Sequence, residues 1–152
     1  TAADELAKVP LIIDNEDIYT FEQFDVLSPN TGKALWSCSS VTRSIVNDVV
    51  ESASRAFPAW SATKPAVRRD IFMRVADLLE QRAAEFQDVM SNEMGAVEPF
   101  LTLNTNLATE MIRDVAGRIA GALSGQAPIC EGENYAIVQR EPYGVVLGIA
   151  PW

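Results

Sequence analysis

Residues 140–152 read Arg-Glu-Pro-Tyr-Gly-Val-Val-Leu-Gly-Ile-Ala-Pro-Trp, and this closing stretch carries the strongest structural signal in the chain. Pro142 and Gly144 interrupt regular structure, and Val145–Ala150 then runs apolar without alternation. A short run of this kind is typical of a strand buried on both faces of a parallel sheet. The rest of the chain offers no clear sheet neighbours for it, so we expect more protein to follow.

Three helical regions are predicted upstream. Thr42 is a suitable N-cap for the first, whose apolar stripe recurs at helical spacing until Pro58, where we expect the helix to end. Pro65 suits the first turn of the second, which continues with a bend until Gly95 stops it. The third runs from about Pro99 to Leu123.

Short strands and turns are predicted on either side of these helices. Before the helices, Ser28–Lys33 contains Pro, Asn and Gly and predicts a chain reversal between two strands. The predicted strands are Val9–Ile13, Ile18–Phe21, Phe24–Leu27, Ala34–Ser39 and, after the helices, Tyr135–Arg140.

Three glycines, Gly117, Gly121 and Gly125, are spaced four apart. In an apolar helix this spacing favours pairing of membrane helices. Charged residues such as Arg113 and Arg118 interrupt the stretch, so we expect close packing in a soluble protein instead.

The composition excludes several classes of function. Among 152 residues, 12 are Lys or Arg and 21 are Asp or Glu, a formal charge of −9 that disfavours nucleic acids and anionic membrane surfaces as partners. No apolar run reaches the length of a membrane span, and Thr1–Lys8 lacks the pattern of a secretory signal. With no His and only two Cys, neither a metal site nor a disulfide framework is expected, and a cytoplasmic setting is favoured.

Several motifs, in order and at matching spacing, resemble the aldehyde dehydrogenase superfamily. The closing stretch resembles the family pattern E-P-x-G-V followed by I-x-P-W, and the form found here is most similar to salicylaldehyde and vanillin dehydrogenases. Further segments resemble the family's N-P-x-T-G turn, its A-x-x-A-F-x-x-W and A-D-L-L-E-x-R helices, and its E-x-G helix end: Ser28–Gly32, Ala53–Trp60, Arg69–Arg82 and Glu93–Gly95.

The resemblance implies an α/β fold, of which this chain is the N-terminal part. Residues 1–133 would supply strands and helices of a Rossmann-like cofactor domain. Residues 134–143 would form an oligomerisation arm strand, for which the alternative is an ordinary surface hairpin. Residues 144–152 would begin a core strand of the cofactor domain. A homo-oligomer, dimer or tetramer, is expected.

The implied activity is oxidation of an aldehyde, aromatic in the branch named above, to a carboxylic acid through a cysteine thiohemiacetal, with NAD or NADP as cofactor. The nucleophilic Cys, the Glu base and the Asn that follows the Trp in the family would lie beyond Trp152. We therefore expect no catalytic residue in this chain and no activity from it alone. Within the chain, Ile149, Ala150, Pro151 and Trp152 match the segment that borders the nicotinamide end of the cofactor. From the residues alone, they are simply a buried strand followed by a Pro turn.

Other chemically suggestive residues have simpler interpretations. Cys130 follows a Gly-Gln pair but at the wrong spacing for the nucleophile motif, and Cys38 fits a small core residue in a strand. Gly144 and Gly148 do not form a phosphate-binding glycine loop. The clustered carboxylates fit a solvated loop better than an acid–base pair: Glu131, Glu133 and Glu141.

Two functions of other classes remain open at this point. The chain could be a non-enzymatic helical interaction or oligomerisation module, which a gene ending at Trp152 and a stably folded product would favour. It could also be a regulatory piece that joins full-length dehydrogenase subunits through its arm strand, which co-purification with such an enzyme would reveal.

Overall fold

The computed structural model describes residues 6–150, in which short strands precede four helices and an extended tail. The strands are β1 (Ala7–Val9), β2 (Leu11–Ile13), β3 (Glu16–Ile18), β4 (Gln23–Leu27) and β5 (Ala34–Ser39). The helices are α1 (Arg43–Ser61), α2 (Pro65–Gln81), α3 (Ala83–Met94) and α4 (Glu98–Leu123). The mixed α/β class predicted from the sequence is therefore confirmed.

The strands form two small sheets. In the first, the order is β1-β5-β4, with β4 antiparallel and β1 parallel to β5. The predicted reversal lies between β4 and β5, where the Gly32 N–H donates to the Ser28 carbonyl (2.8 Å) and Gly32 has φ +67°. The side chains of the central strand β5 are half-buried or buried, and its Trp36 contacts Glu93 of α3.

The predicted strand Val9–Ile13 is two strands, because Pro10 separates them and lacks the N–H that a continuous ladder needs. β2 pairs with β3 in a separate antiparallel hairpin, whose turn places Asp14 and Asn15 at φ +52° and +64°. Asp and Asn tolerate this left-handed region better than other non-glycine residues. Of the strand predicted over Ile18–Phe21, only Ile18 belongs to β3.

Helix α1 begins where predicted but does not end at Pro58. The Ile45 N–H donates to the Thr42 hydroxyl (3.5 Å), as expected of an N-cap. The helix then passes through Pro58 and ends at Ser61. Proline near a helix end removes one hydrogen bond and breaks little else, and the Ser61 hydroxyl and Ala62 N–H both donate to the Pro58 carbonyl.

The second predicted helix is two helices, α2 and α3, rather than one bent helix. Pro65 stands in the first turn of α2, as predicted. The break falls at Arg82, whose φ of −105° and ψ of +18° leave the helical region. Gly95 ends α3 at φ +69° in the left-handed conformation, which confirms the predicted stop.

The helices α2 and α4 pack against each other and hold the most buried side chains. Ala76 on α2 and Ala116 on α4 are almost inaccessible, and such small residues allow two helix backbones to approach closely. Arg113 of α4 also pairs with Asp77 and Glu80 of α2, at 2.9 and 2.6 Å. On α3, the Gln87 amide donates to the Thr105 hydroxyl of α4 (2.9 Å).

Large apolar faces stay exposed in the described residues. α1 has no buried residue although its stripe is apolar, and Leu103, Leu107 and Met111 of α4 are exposed. No helix among residues 6–150 combines the length and apolarity that a membrane span requires.

The tail after α4 is extended rather than regular. The predicted strand Tyr135–Arg140 makes two isolated antiparallel bridges, Gln126 with Val138 and Ile129 with Tyr135, instead of a continuous ladder. The predicted core strand Val145–Ala150 is extended and exposed and forms no ladder with any described residue. That strand needs sheet neighbours on either side, and the described part of the chain supplies none.

The three spaced glycines do not act together. A Cβ added at Gly125 would lie 2.8 Å from the Val138 carbonyl oxygen, so the close approach there needs glycine. A Cβ added at Gly117 or Gly121 would meet nothing within 4 Å among the described residues. At these two positions the described residues provide no packing partner, so close packing there stays a prediction.

Candidate cofactor-flanking site

The segment Gly144–Ala150 runs past the C-terminal half of α1. Gly144, at φ +90°, turns the chain into this segment, a conformation that a side chain would strain. The first three residues of the segment line a cavity of about 280 Å³ together with four residues of α1: Ala53, Ala56, Phe57 and Trp60. The apolar stripe of α1 therefore lies beside the start of the segment.

The predicted cofactor residues Ile149 and Ala150 lie beyond this cavity and are open to solvent, with Ile149 86% exposed. Their peptide groups make no backbone hydrogen bond to another described residue. Pro151 and Trp152, the other two predicted cofactor residues, lie outside the described residues.

These groups fit one end of a nicotinamide nucleotide. A nicotinamide presents an apolar ring face and a carboxamide, and an exposed Ile side chain beside unpaired peptide groups can meet both needs. Between Gly144 and Ala150 the segment has no Lys or Arg, so it offers a pyrophosphate no cationic side chain.

Arg68 of α2 holds the end of α1 beside the same cavity. Its Nη2 donates to the carbonyl oxygens of Trp60 (2.9 Å) and Ser61 (2.8 Å) in the last turn of that helix, where the Trp60 carbonyl also accepts from the Thr63 N–H (3.0 Å). Its guanidinium carbon lies 5.4 Å from the centre of the Trp60 ring, within the range of a cation–π contact. The Nε of Arg68 is buried and has no acceptor among the described residues, so Nη2 alone makes these hydrogen bonds.

Two of the segments that suggested the family meet in space. The turn Ser28–Gly32 lies against the end of α3, where a Cβ added at Gly95 would be 2.8 Å from Asn30 Oδ1. Close by, the indole Nε1 of Trp36 on β5 donates to Oε1 of Glu93 on α3 (3.0 Å). Neither Trp36 nor Arg68 was predicted from the sequence to have a role. The signals available were a Trp inside a strand and a second Arg beside the motif Arg69.

Neither cysteine has the surroundings of a nucleophile. Cys38 is half-buried in β5, and burial, together with the negative charge of Glu93, raises the pKa of its thiol. The Sγ of Cys130 lies 3.7 Å from the Pro128 carbonyl oxygen in the tail. Glu131, Glu133 and Glu141 are exposed there, in keeping with a solvated loop. Among residues 6–150, no group of His, Cys, Asp or Glu side chains is placed to hold a metal ion.

Comparison with known proteins shows the family. Residues 17–152 match the aldehyde dehydrogenase family, and the chain belongs to it. The resemblance seen in the motifs is thus confirmed over nearly the whole chain.

Curated relatives confirm the branch that the closing motif indicated. The chain is 35% identical over 146 residues to vanillin dehydrogenase of Pseudomonas sp. strain HR199, a match that covers 95% of this chain and 30% of the relative. It is 28% identical to salicylaldehyde dehydrogenase of Pseudomonas sp. strain C18, covering 92% of this chain and 28% of that protein. The chain therefore spans about 30% of the length of the curated relatives it matches.

Solved structures of the family have the same fold. The structure of PnpE in complex with nicotinamide adenine dinucleotide superposes with a TM-score of 0.81 at 26% identity, covering 88% of this chain and 28% of that one. The predicted assignment to part of an aldehyde dehydrogenase fold is therefore confirmed.

Proposed function

We propose that this chain forms part of the cofactor-binding region of an NAD(P)-dependent aldehyde dehydrogenase that oxidises an aromatic aldehyde to a carboxylic acid. The observation that carries the proposal is the 35% identity to vanillin dehydrogenase across 95% of the chain. The similarity to salicylaldehyde dehydrogenase supports an aromatic substrate, and the structural likeness to an NAD complex supports the cofactor.

In this proposal the segment Gly144–Trp152 borders the nicotinamide end of the cofactor. Ile149 and Ala150 offer an exposed apolar surface and unpaired peptide groups, and Pro151 and Trp152 continue the same segment. When bound, the nicotinamide supplies a hydride acceptor. The role of this chain is to position that group and to exclude water from one side of it, not to move protons or form covalent bonds.

The nucleophilic cysteine of the proposed thiohemiacetal mechanism lies outside this chain. Burial and a neighbouring carboxylate both disfavour the thiolate of Cys38, which is the reactive form in this chemistry. Cys130 lies in the extended tail, at the wrong spacing from Gly125 and Gln126 for the family's nucleophile motif. The chain alone is accordingly inactive.

Residues 134–143 form the proposed oligomerisation arm. They make only isolated bridges to the preceding loop, and Tyr135 and Ile137 stay largely exposed. An extended segment with unpaired backbone and exposed apolar side chains is suited to pairing with a second copy of the protein.

The test uses the natural polypeptide that contains this chain. NADH or NADPH formation is measured with vanillin, salicylaldehyde and betaine aldehyde as competing substrate classes. We expect oxidation of the aromatic aldehydes, and we expect it to persist in the Cys38→Ser and Cys130→Ser variants. Preference for betaine aldehyde would overturn the aromatic assignment, and loss of activity in either serine variant with the fold intact would overturn the placement of the nucleophile. NADH production by the 152-residue chain alone would overturn its proposed inactivity.

A further inference from the structure

The Arg68–Trp60 pair connects the corner between α1 and α2 with the segment Gly144–Ala150. Arg68 binds the last carbonyls of α1 and lies over the Trp60 ring. Trp60 lines the same cavity as Gly144, Val145 and Val146. The Trp60 residue and the start of the segment are therefore neighbours around one cavity.

We infer that Arg68 is a positioning residue for the cofactor: by fixing Trp60, it fixes the path of Gly144–Val146 and hence the placement of Ile149 and Ala150. The link of Arg68 to NAD(P) rests on the proposed function. The positioning of Gly144–Val146 by Arg68 and Trp60 is argued from their contacts alone.

The geometry favours this role over simple capping of α1. Capping needs only the hydrogen bonds to the Trp60 and Ser61 carbonyls, and a Lys in place of Arg68 could supply one of them. The planar guanidinium of Arg68 donates to both carbonyls and also lies over the Trp60 ring. The compact ammonium of a lysine does not combine these contacts in the same geometry. The Trp60 side chain is 45% exposed, so little else among the described residues holds it in one orientation.

The neighbouring Arg69 provides a matched control. It stands on the same helix and carries the same charge, and within residues 6–150 its ion-pair partner is the exposed Asp70 (2.7 Å). Arg69→Ala therefore removes a guanidinium from α2 without touching the end of α1 or the cavity.

The first measurement is hydrogen exchange in the natural polypeptide, followed over the peptide that contains residues 143–150. We expect Arg68→Ala to speed exchange there at least about twofold, Arg68→Lys to have an intermediate effect, and Arg69→Ala to have none. Equal exchange in Arg68→Ala and the parent protein would overturn the inference, as would an equal change in Arg69→Ala. If Arg68→Ala does not fold, Arg68→Lys and Trp60→Phe are judged by the same criterion.

The second measurement is steady-state kinetics. We expect Arg68→Ala to raise the KM for NAD about two- to fivefold and to lower kcat as well, because the nicotinamide whose placement it disturbs is itself the hydride acceptor. Combining it with Trp60→Ala should raise KM by less than the product of the single effects, since the two residues act through one contact. An unchanged KM in Arg68→Ala would overturn the link to the cofactor. So would a double variant whose KM rises by the full product of the two single effects. If the parent protein oxidises no aldehyde, the proposed function fails, and exchange over residues 143–150 still decides whether Arg68 positions the segment.

Discussion

The indole of Trp36 and the carboxylate of Glu93 join the sheet to the helices across 57 positions of sequence. The hydrogen bond is 3.0 Å long and partly buried, and it ties the central strand β5 to the last turn of α3. Immediately beyond Glu93, Gly95 lies against the turn that precedes β5. These two contacts set the position of the small sheet on the helices.

Replacing Trp36 with Phe removes this hydrogen bond and keeps an aromatic ring. We expect the free energy of unfolding to fall by about 1 kcal/mol, the usual net effect of a partly buried hydrogen bond. Denaturant unfolding of the natural polypeptide measures it. Glu93→Gln still offers Trp36 a side-chain oxygen, that of the amide, as acceptor and should have a smaller effect. If Glu93→Gln destabilised the protein as much as Trp36→Phe, the hydrogen bond would not be the reason.

Gly95→Ala should be more destabilising than Gly32→Ala, although both glycines have nearly the same positive φ. Each substitution strains the backbone by about 1 to 2 kcal/mol. Only at Gly95 does the new Cβ also meet a side chain, with Asn30 Oδ1 at 2.8 Å, whereas a Cβ at Gly32 meets nothing within 4 Å. Thermal unfolding compares the two variants. Asn30→Ala in the Gly95→Ala background should recover part of the loss, and equal losses at Gly32 and Gly95 would contradict the clash.

The hairpin of β2 and β3 is fastened to α1 by a pH-sensitive contact. Hydrogen bonds from Ser52 and Arg55 and the positive charge of Arg55 lower the pKa of Asp14 below its ordinary value of 3.8. The folded state then holds Asp14 ionised where the unfolded state takes up a proton. The stabilisation is complete above the unfolded value and is lost as pH falls through the folded one.

Asp14→Asn removes this dependence while keeping a residue that accepts φ +52°. We expect the stability difference between the parent protein and the variant to shrink as pH falls below 3.8. Urea unfolding at several acidic pH values checks this, and Ser52→Ala should weaken the dependence in the same direction. If the stability difference between the parent protein and Asp14→Asn grew towards low pH, the direction given for the pKa shift of Asp14 would be wrong.

Cys38 should react slowly with alkylating agents. Burial, and secondly the charge of Glu93, raises the pKa of its thiol above 9.0, so the thiolate is scarce at neutral pH. The pH profile of alkylation in a Cys130→Ser background gives the midpoint, and Glu93→Gln should move it part of the way down. A midpoint below 9.0 in the parent background would show that the described surroundings of Cys38 do not govern its reactivity.

Local signals predicted the helices well because the residues responsible act within one turn. Thr42, Pro65 and Gly95 each do what their side chain or backbone freedom dictates. Pro58 was a poor stop signal, since a proline close to a helix end removes one hydrogen bond and the helix can continue past it for a few residues. Here α1 ends three residues later.

Pairing between segments that are distant in the chain could not be predicted from the sequence. The parallel match of Ala7 with Trp36, and the approach of Arg68 to the end of α1, depend on where whole elements pack. For the candidate site, the closing motif identified Gly144–Trp152 through family resemblance. Nothing in the residues themselves could show that Trp60 would line the same cavity, because helix and segment are more than eighty positions apart.

The uncovered stripe of α1 bears on how the protein is made. A nascent chain exposes α1 before α2 and α4 have emerged, and those two can bury Ala76 and Ala116 against each other once Leu123 is synthesised. Neither helix buries the apolar stripe of α1, so Val46, Val49 and Val50 stay in contact with water. We expect chaperones that bind apolar segments during translation to hold this helix longest.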